Sequence, residues 1–391
     1  MLPPLVTLAR LAGACNAGGL SSKVAPSPAK KGPAVFFPQK PVKTAVTYRS
    51  REARAPRSRR GGVGARPKRG KTGVGGRWSA SSGRGMGPGP QLAFLQYLLF
   101  RIAVVLFSTL PVQVAMRLGE AAALVVHVVD RRHRRVGLTN LRIAFPDRSL
   151  REHRRILRAS WLNLGRMAAE SCHLRKLNRE NVSRWVTFEN AEYWRQVVRE
   201  HADCGAFVLT AHFGNWELFA YAHGLYGYPV HLVYRALRNP LIDEYVHRLR
   251  RSAGTVTLRK SAAGLSLVRS LRQGGIVVIP ADQNSKRGMG VFVNLFGVPA
   301  STNSGLARLA MRTGFPVYPA FLVREGRSPR HRIVIGPPVP IARTADRVAD
   351  VHENTQRFTR VLEDMITRYP DHWLWVHKRW KTRPPGAPRI Y

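Results

Sequence analysis

The stretch Phe207-Val-Leu-Thr-Ala-His212-Phe-Gly-Asn-Trp-Glu217 joins an apolar run to a histidine at its end and a carboxylate five residues further on. An imidazole titrates near neutral pH, so a histidine held against a hydroxyl can take its proton as a general base. A carboxylate on the far ring nitrogen would fix the tautomer and stabilise the imidazolium that forms, and Glu217 is the candidate in this run. The spacing alone is a weak signal, since a capping or core histidine is often followed by a glutamate. No Gly-x-Ser-x-Gly elbow occurs in the chain, so nothing points to a covalent serine intermediate.

The surrounding elements read as short apolar strands alternating with helices. Runs at 206–210, 230–235, 255–258, 276–280, 317–323 and 332–335 have strand character, with helical stretches at 240–252, 262–273, 304–313 and 347–368. This order predicts an α/β fold, a mostly parallel sheet with helices on both faces. Upstream, 114–129 and 149–177 have helical composition, broken by Phe145-Pro146-Asp147. In such sheets ligands bind beyond the carboxyl ends of the strands, where His212 is placed.

The run His-x-x-x-x-Glu resembles the His-x-x-x-x-Asp/Glu motif of the glycerolipid acyltransferase superfamily. More closely, the chain resembles the bacterial lipid A biosynthesis acyltransferases, the lauroyl and myristoyl transferases acting on Kdo2–lipid IVA and its relatives. The resemblance is carried by Asn140-Leu-Arg-Ile-Ala-Phe-Pro146, Ala211–Glu217, Val233-Tyr-Arg-Ala236 with Asn239-Pro-Leu241, Pro280-Ala-Asp-Gln283, Val291–Gly297 and Trp375–Pro384. It covers residues 90 to 391, and the tail His377-Lys-Arg-Trp-Lys-Thr-Arg-Pro384 is its most specific part. It implies acyl transfer from an acyl-acyl carrier protein to a hydroxyl of a phosphorylated glycolipid acceptor, without a cofactor. His212 would be the base and Glu217 its orienting partner. Arg235 would hold a headgroup phosphate through its planar fork. Asp282 is a further candidate, paired with Arg235 or with the histidine, and Asn215 joins these as a substrate-binding candidate. Arg379, Lys381 and Arg383 are expected at the headgroup surface or in a solvated tail. The same motif serves acyltransferases for other glycolipids, such as phosphatidylinositol mannosides or aminolipids.

The 391 residues carry 64 Lys+Arg against 22 Asp+Glu, a net charge of +42 that demands an anionic partner. Residues 1–85 hold 18 of the basic residues and a single acid, are rich in Gly and Pro, and show no apolar period. They read as a disordered leader, or as lying upstream of a start at Met86. An apolar run at 92–110, with Arg101 near its centre, defines a membrane-associated segment over 86–113 that either spans a bilayer or lies in its interface. The acyltransferase domain is then 114–391. The cluster Arg131-Arg-His-Arg-Arg135 suits an anionic membrane surface, which places the domain on the cytoplasmic face of the inner membrane. The three cysteines form no disulfide or zinc pattern, and the remaining histidines lack metal-ligand spacing. A basic nucleic-acid-binding protein is the rival class for this charge. The apolar run and the absence of a recognisable reading module argue against it.

Overall fold

Strand β2 (Ala206–Thr210) is buried along its whole length, and its alternate side chains feed two different cores. Phe207 and Leu209 pack with Leu141, Leu157, Leu306 and Phe321 on one face of the sheet. Ala206 and Val208 pack with Trp194, Leu218 and Tyr318 on the other. A period-two strand buried on both sides is what a helix-covered parallel sheet requires. The computed structural model describes residues 88–391 apart from positions 203, 229, 235 and 260–262. The expected leader at 1–85 and Arg235 therefore lie outside the described residues.

The chain opens with four helices, α1 (Pro90–Thr109), α2 (Val112–Val129), α3 (Arg131–Ala144) and α4 (Leu150–Ser171). It continues through β1 (Val186–Phe188), α5 (Ala191–Glu200), β2, α6 (Trp216–Leu225), β3 (Val230–Tyr234), α7 (Pro240–Ser252), β4 (Val256–Arg259), α8 (Ala263–Arg272) and β5 (Ile276–Pro280). A hairpin of β6 (Val291–Leu295) and β7 (Val298–Thr302) follows, then α9 (Gly305–Thr313), β8 (Val317–Arg324), β9 (His331–Ile335) and α10 (Arg347–Arg368). The main sheet has seven strands in the order β1-β9-β8-β2-β5-β3-β4, and β6–β7 stand apart as a two-stranded antiparallel pair. Every described pairing in the main sheet is parallel except that of β8 with β9. The fold is the expected mostly parallel α/β sheet. Helices α3 and α5, strand β1 and the β6–β7 hairpin were not legible from hydropathic period.

Helices α2 and α4 meet through Gly119 and Gly165, where a Cβ on either residue would run into the other's carbonyl oxygen. That close approach fixes α2 on the domain. Helix α1 is different, because Ala93 is its sole buried residue. Leu92, Phe94, Leu95, Leu98, Leu99, Ile102, Val105 and Leu106 are all exposed, and Val125, Val126, Val128 and Val129 continue the apolar surface along α2. Both helices are long and apolar enough to cross a membrane. Where one apolar segment was expected, the structure has two, separated at Leu110-Pro111. Arg101 is turned toward α7, with its guanidinium 5.0 Å from the centre of the Tyr245 ring and Nη1 donating to the Tyr97 hydroxyl at 3.2 Å. Asn239, the N-cap of α7, donates to the Ala93 carbonyl at 2.8 Å and so ties α1 to α7.

Candidate active site

Parallel pairing of β2 with β5 sets Thr210 opposite Pro280, and the Ala281 amide donates to the Thr210 carbonyl at 3.0 Å. Two strands in register that end together deliver the residues just beyond them to one place. Those residues are His212 and Asp282. Asp282 Oδ1 lies 2.9 Å from His212 Nδ1, and Oδ2 accepts the His212 backbone N–H at 3.1 Å. Trp373 Nε1 donates to the same Oδ2 at 3.0 Å. The Trp373 backbone is itself docked by a bridge to Phe213 and by the Leu374 amide, which donates to the His212 carbonyl at 3.2 Å. Gly214 takes φ +56 in this turn, and a Cβ there would collide with the Leu322 carbonyl, so glycine is required. The Trp216 ring stands edge-on to the imidazole at 5.3 Å between centroids.

With Nδ1–H directed at Asp282, the Nε2 lone pair is free to accept a proton. The Gln283 side-chain amide nitrogen lies 3.2 Å from Nε2. The histidine side chain is 24 % exposed and Asp282 4 %, so the imidazole meets solvent while the carboxylate does not. Burial by itself would lower the His212 pKa, but the charge and hydrogen bond of Asp282, with the charge of Glu217 behind them, outweigh it and raise the pKa above its ordinary value. For Asp282, burial acts to raise the pKa, yet the facing imidazole and the three donors hold it down at about 2. The carboxylate therefore stays ionised.

The expected partner, Glu217, does not contact the ring. Its two oxygens accept from Arg250 Nε at 2.9 Å and Nη2 at 2.6 Å, a bidentate pair between α6 and α7. Residue 217 lies in the first turn of α6, and the helix carries its side chain toward α7 rather than back to the imidazole. Asn215 also departs from expectation. It has no exposed surface: its Oδ1 caps α6 through the Leu218 amide at 3.0 Å, and its Nδ2 donates to Glu170 at 2.9 Å. Glu170 is in turn paired with Arg324 in the interior and lies 3.5 Å from His331. Arg379 is not at a headgroup surface either. It is 1 % exposed and donates to the Ser301 carbonyl at 2.9 Å and to the Thr302 hydroxyl, which builds the tail into the fold. Trp373, Gln283 and Arg250 were not given roles from sequence. Gln283 follows Asp282 directly and lies within the quoted Pro280–Gln283 run, which was the available signal.

A model of the family described as bacterial lipid A biosynthesis acyltransferase matches residues 89–382. The chain belongs to this family. It is similar to the lipid A biosynthesis lauroyltransferase of Escherichia coli (strain K12), 27 % identical over 285 residues that cover 72 % of this chain and 90 % of that protein. The palmitoleoyltransferase of the same organism is 26 % identical over 288 residues, 73 % of this chain and 91 % of the relative. Its myristoyltransferase is 24 % identical over 258 residues, 66 % of this chain and 78 % of the relative. Membership in the lipid A acyltransferase family makes the chain an acyltransferase of lipid A biosynthesis. The family decides for an enzyme over the nucleic-acid-binding class that the charge of +42 left open.

Proposed function

We propose that the protein moves a fatty acyl chain from acyl-acyl carrier protein to a hydroxyl of a phosphorylated lipid A precursor, with His212 as general base and Asp282 as its orienting partner. The observation that carries this reading is the in-register delivery of both residues to the carboxyl ends of β2 and β5. The acceptor hydroxyl would take the place of the Gln283 amide at Nε2 and attack the thioester carbonyl as His212 removes its proton. An alcohol is a poor nucleophile at neutral pH, and a positioned base contributes on the order of 10²–10⁴ to such a step. The tetrahedral oxyanion then collapses with cleavage of the C–S bond. The proton on His212 passes to the departing thiolate, leaving an ester and a free carrier thiol. Asp282 stabilises the imidazolium between these two transfers. The Glu217 carboxylate adds to the same field from further away, and its pairing with Arg250 fixes α6 on α7 beside the site. Arg235, which lies outside the described residues, is kept as a proposed phosphate contact.

The membrane placement rests on α1 and α2. Full burial of one large apolar side chain is worth about 1.5–3 kcal/mol. A helix exposing as many as α1 has that stabilisation unrealised in water, and a bilayer supplies it. The domain is placed on the cytoplasmic side of the inner membrane, where its basic surface meets anionic lipid. An assay with purified protein, acyl-carrier thioester and a lipid A precursor tests the reaction. Ester formation by the parent and its loss in a folded His212→Ala variant support the proposal, whereas undiminished acylation by that variant refutes the mechanism. Flotation with anionic liposomes tests the placement, which fails if the protein stays in the aqueous fraction.

A further inference from the structure

A cavity of about 270 Å³ lies between the start of α3 and the C-terminal segment, lined by Arg132, His133, Asn284, His377, Lys378 and Lys381 among others, with no carboxylate in its wall. We propose that this cavity holds a phosphate group of a substrate. The inference rests on the reaction proposed above and adds to it a second, basic subsite.

Three observations carry it. The first is uncompensated charge. His133 is paired with Asp130 at 2.6 Å, but among the described residues Arg132, Lys378 and Lys381 make no ion pair with any Asp or Glu. The Lys378 ammonium lies 5.4 Å from the centre of the Tyr391 ring, and cations lining one concavity without a carboxylate favour an anion there. The second is size. Pockets for whole drug-sized ligands run to about 300–1,000 Å³. A cavity just below that range suits one charged group with its immediate substituent, and not an entire glycolipid.

The third is position. The Asn284 backbone N–H donates to His377 Nε2 at 3.1 Å, and the Asn284 side chain binds Thr382 through both its oxygen (2.9 Å) and its nitrogen (3.0 Å). The same short loop therefore carries Asp282 on the catalytic ring, Gln283 at Nε2, and Asn284 beneath the basic cavity. A phosphate seated there lies against Asn284, two residues along this loop from Asp282. A lysine offers phosphate a compact charge and Arg132 a planar fork. Two phosphates have this chemistry: that of the glycolipid acceptor, and the diester of the phosphopantetheine arm of the carrier protein.

The test compares the full-length parent with a double variant, Arg132→Ala with Lys381→Ala, and with the charge-keeping Lys381→Arg. Arg132 and Lys381 are both exposed, so unfolding is not expected, and a thermal melt verifies it. Initial rates are measured with a lipid A precursor before and after phosphatase treatment. For the parent, kcat/KM favours the phosphorylated acceptor. In the double variant that preference falls about tenfold toward unity, as expected for loss of charge-assisted hydrogen bonds, and Lys381→Arg retains it. If the acceptor preference is kept and KM for the carrier thioester rises about tenfold instead, the phosphate is that of the donor arm. If neither changes, the subsite does not exist. Saturation-transfer NMR with glucosamine 1-phosphate against glucosamine reads the cavity without turnover. Binding of the phosphate by the parent that is lost in the double variant supports the subsite, and equal binding by both overturns it. A parent that acylates no glycolipid refutes the reaction proposed above, and the NMR comparison still decides the cavity.

Discussion

Asp282 grips His212 twice, through the ring nitrogen at 2.9 Å and through the backbone amide at 3.1 Å, although the two residues follow different strands. One carboxylate thus sets both the position of the histidine and its tautomer. Substituting His212→Ala is expected to cut kcat by a factor on the order of 10²–10⁴, the range supplied by a positioned base. Asp282→Asn keeps the shape but removes the charge that stabilises the imidazolium, so its loss falls in the same range. Steady-state acylation rates of folded variants check both, and an Asp282→Asn enzyme of parental rate would refute the pairing.

The pH profile distinguishes Asp282 from Glu217. In the proposed mechanism the base must be neutral to act, so kcat/KM is expected to rise with pH through the pKa of His212, which the charges of Asp282 and Glu217 raise above 6.5. Removing the Asp282 charge moves that acidic limb to lower pH. Glu217→Gln moves it in the same direction but by less, because Glu217 acts through its field alone while Asp282 also hydrogen-bonds the ring. A larger displacement in Glu217→Gln than in Asp282→Asn would restore Glu217 as the main partner.

Asn215 is expected to govern stability and not substrate affinity. Asn215→Ala removes a helix cap and one donor to buried Glu170, a loss of about 2 kcal/mol. Asn215→Asp can still cap α6, yet it sets a second carboxylate against Glu170 and is expected to destabilise more. Thermal or denaturant unfolding ranks the two. The reverse order would show that the Glu170 contact is unimportant.

The pair Glu170–Arg324 is almost fully buried, so Arg324→Met leaves an uncompensated carboxylate and is expected to cost about 3–5 kcal/mol. Denaturant titration of the variant measures this, and a loss below about 1 kcal/mol would contradict a desolvated pair.

Acid sensitivity follows from two other histidines. Burial pushes His223 and His331 down to about 4, each below the ordinary 6.5. The unfolded chain therefore binds protons that the folded chain refuses, and stability falls as pH drops from 6.5 toward 4. Each group contributes about 3 kcal/mol over that interval. His212 has the opposite sign: its raised pKa adds stability at low pH that is lost as pH climbs through it. Unfolding free energy measured from pH 7 to 4 should fall, and His223→Phe should flatten the curve. A curve unchanged by that substitution would show that His223 does not resist protonation.

The strands were legible because β2, β5 and β8 are apolar on both faces and bounded by turns, and such runs have few other uses in a chain of this length. His212 was legible from its place after β2. Asp282 was found as a candidate, but its partner was left open between Arg235 and His212. The burial of Asn215 and Arg379 is not legible in sequence, because polarity suggests exposure, whereas backbone or side-chain groups satisfy both in the interior. Helix α3 was hidden by its basic start, which carries no apolar period.

Sequence alone determined the alternation of strands and helices, the apolar helix at the start of the catalytic chain, the histidine at a strand end and the excess of positive charge. Those properties are local, written in residue type and spacing. Tertiary structure decided which carboxylate meets His212, because the register of β2 with β5 sets residues 70 positions apart side by side while α6 turns the nearer Glu217 away toward Arg250. It likewise decided which of the many cations converge on one cavity. Adjacency across a parallel sheet is created by packing, and no spacing along the chain records it.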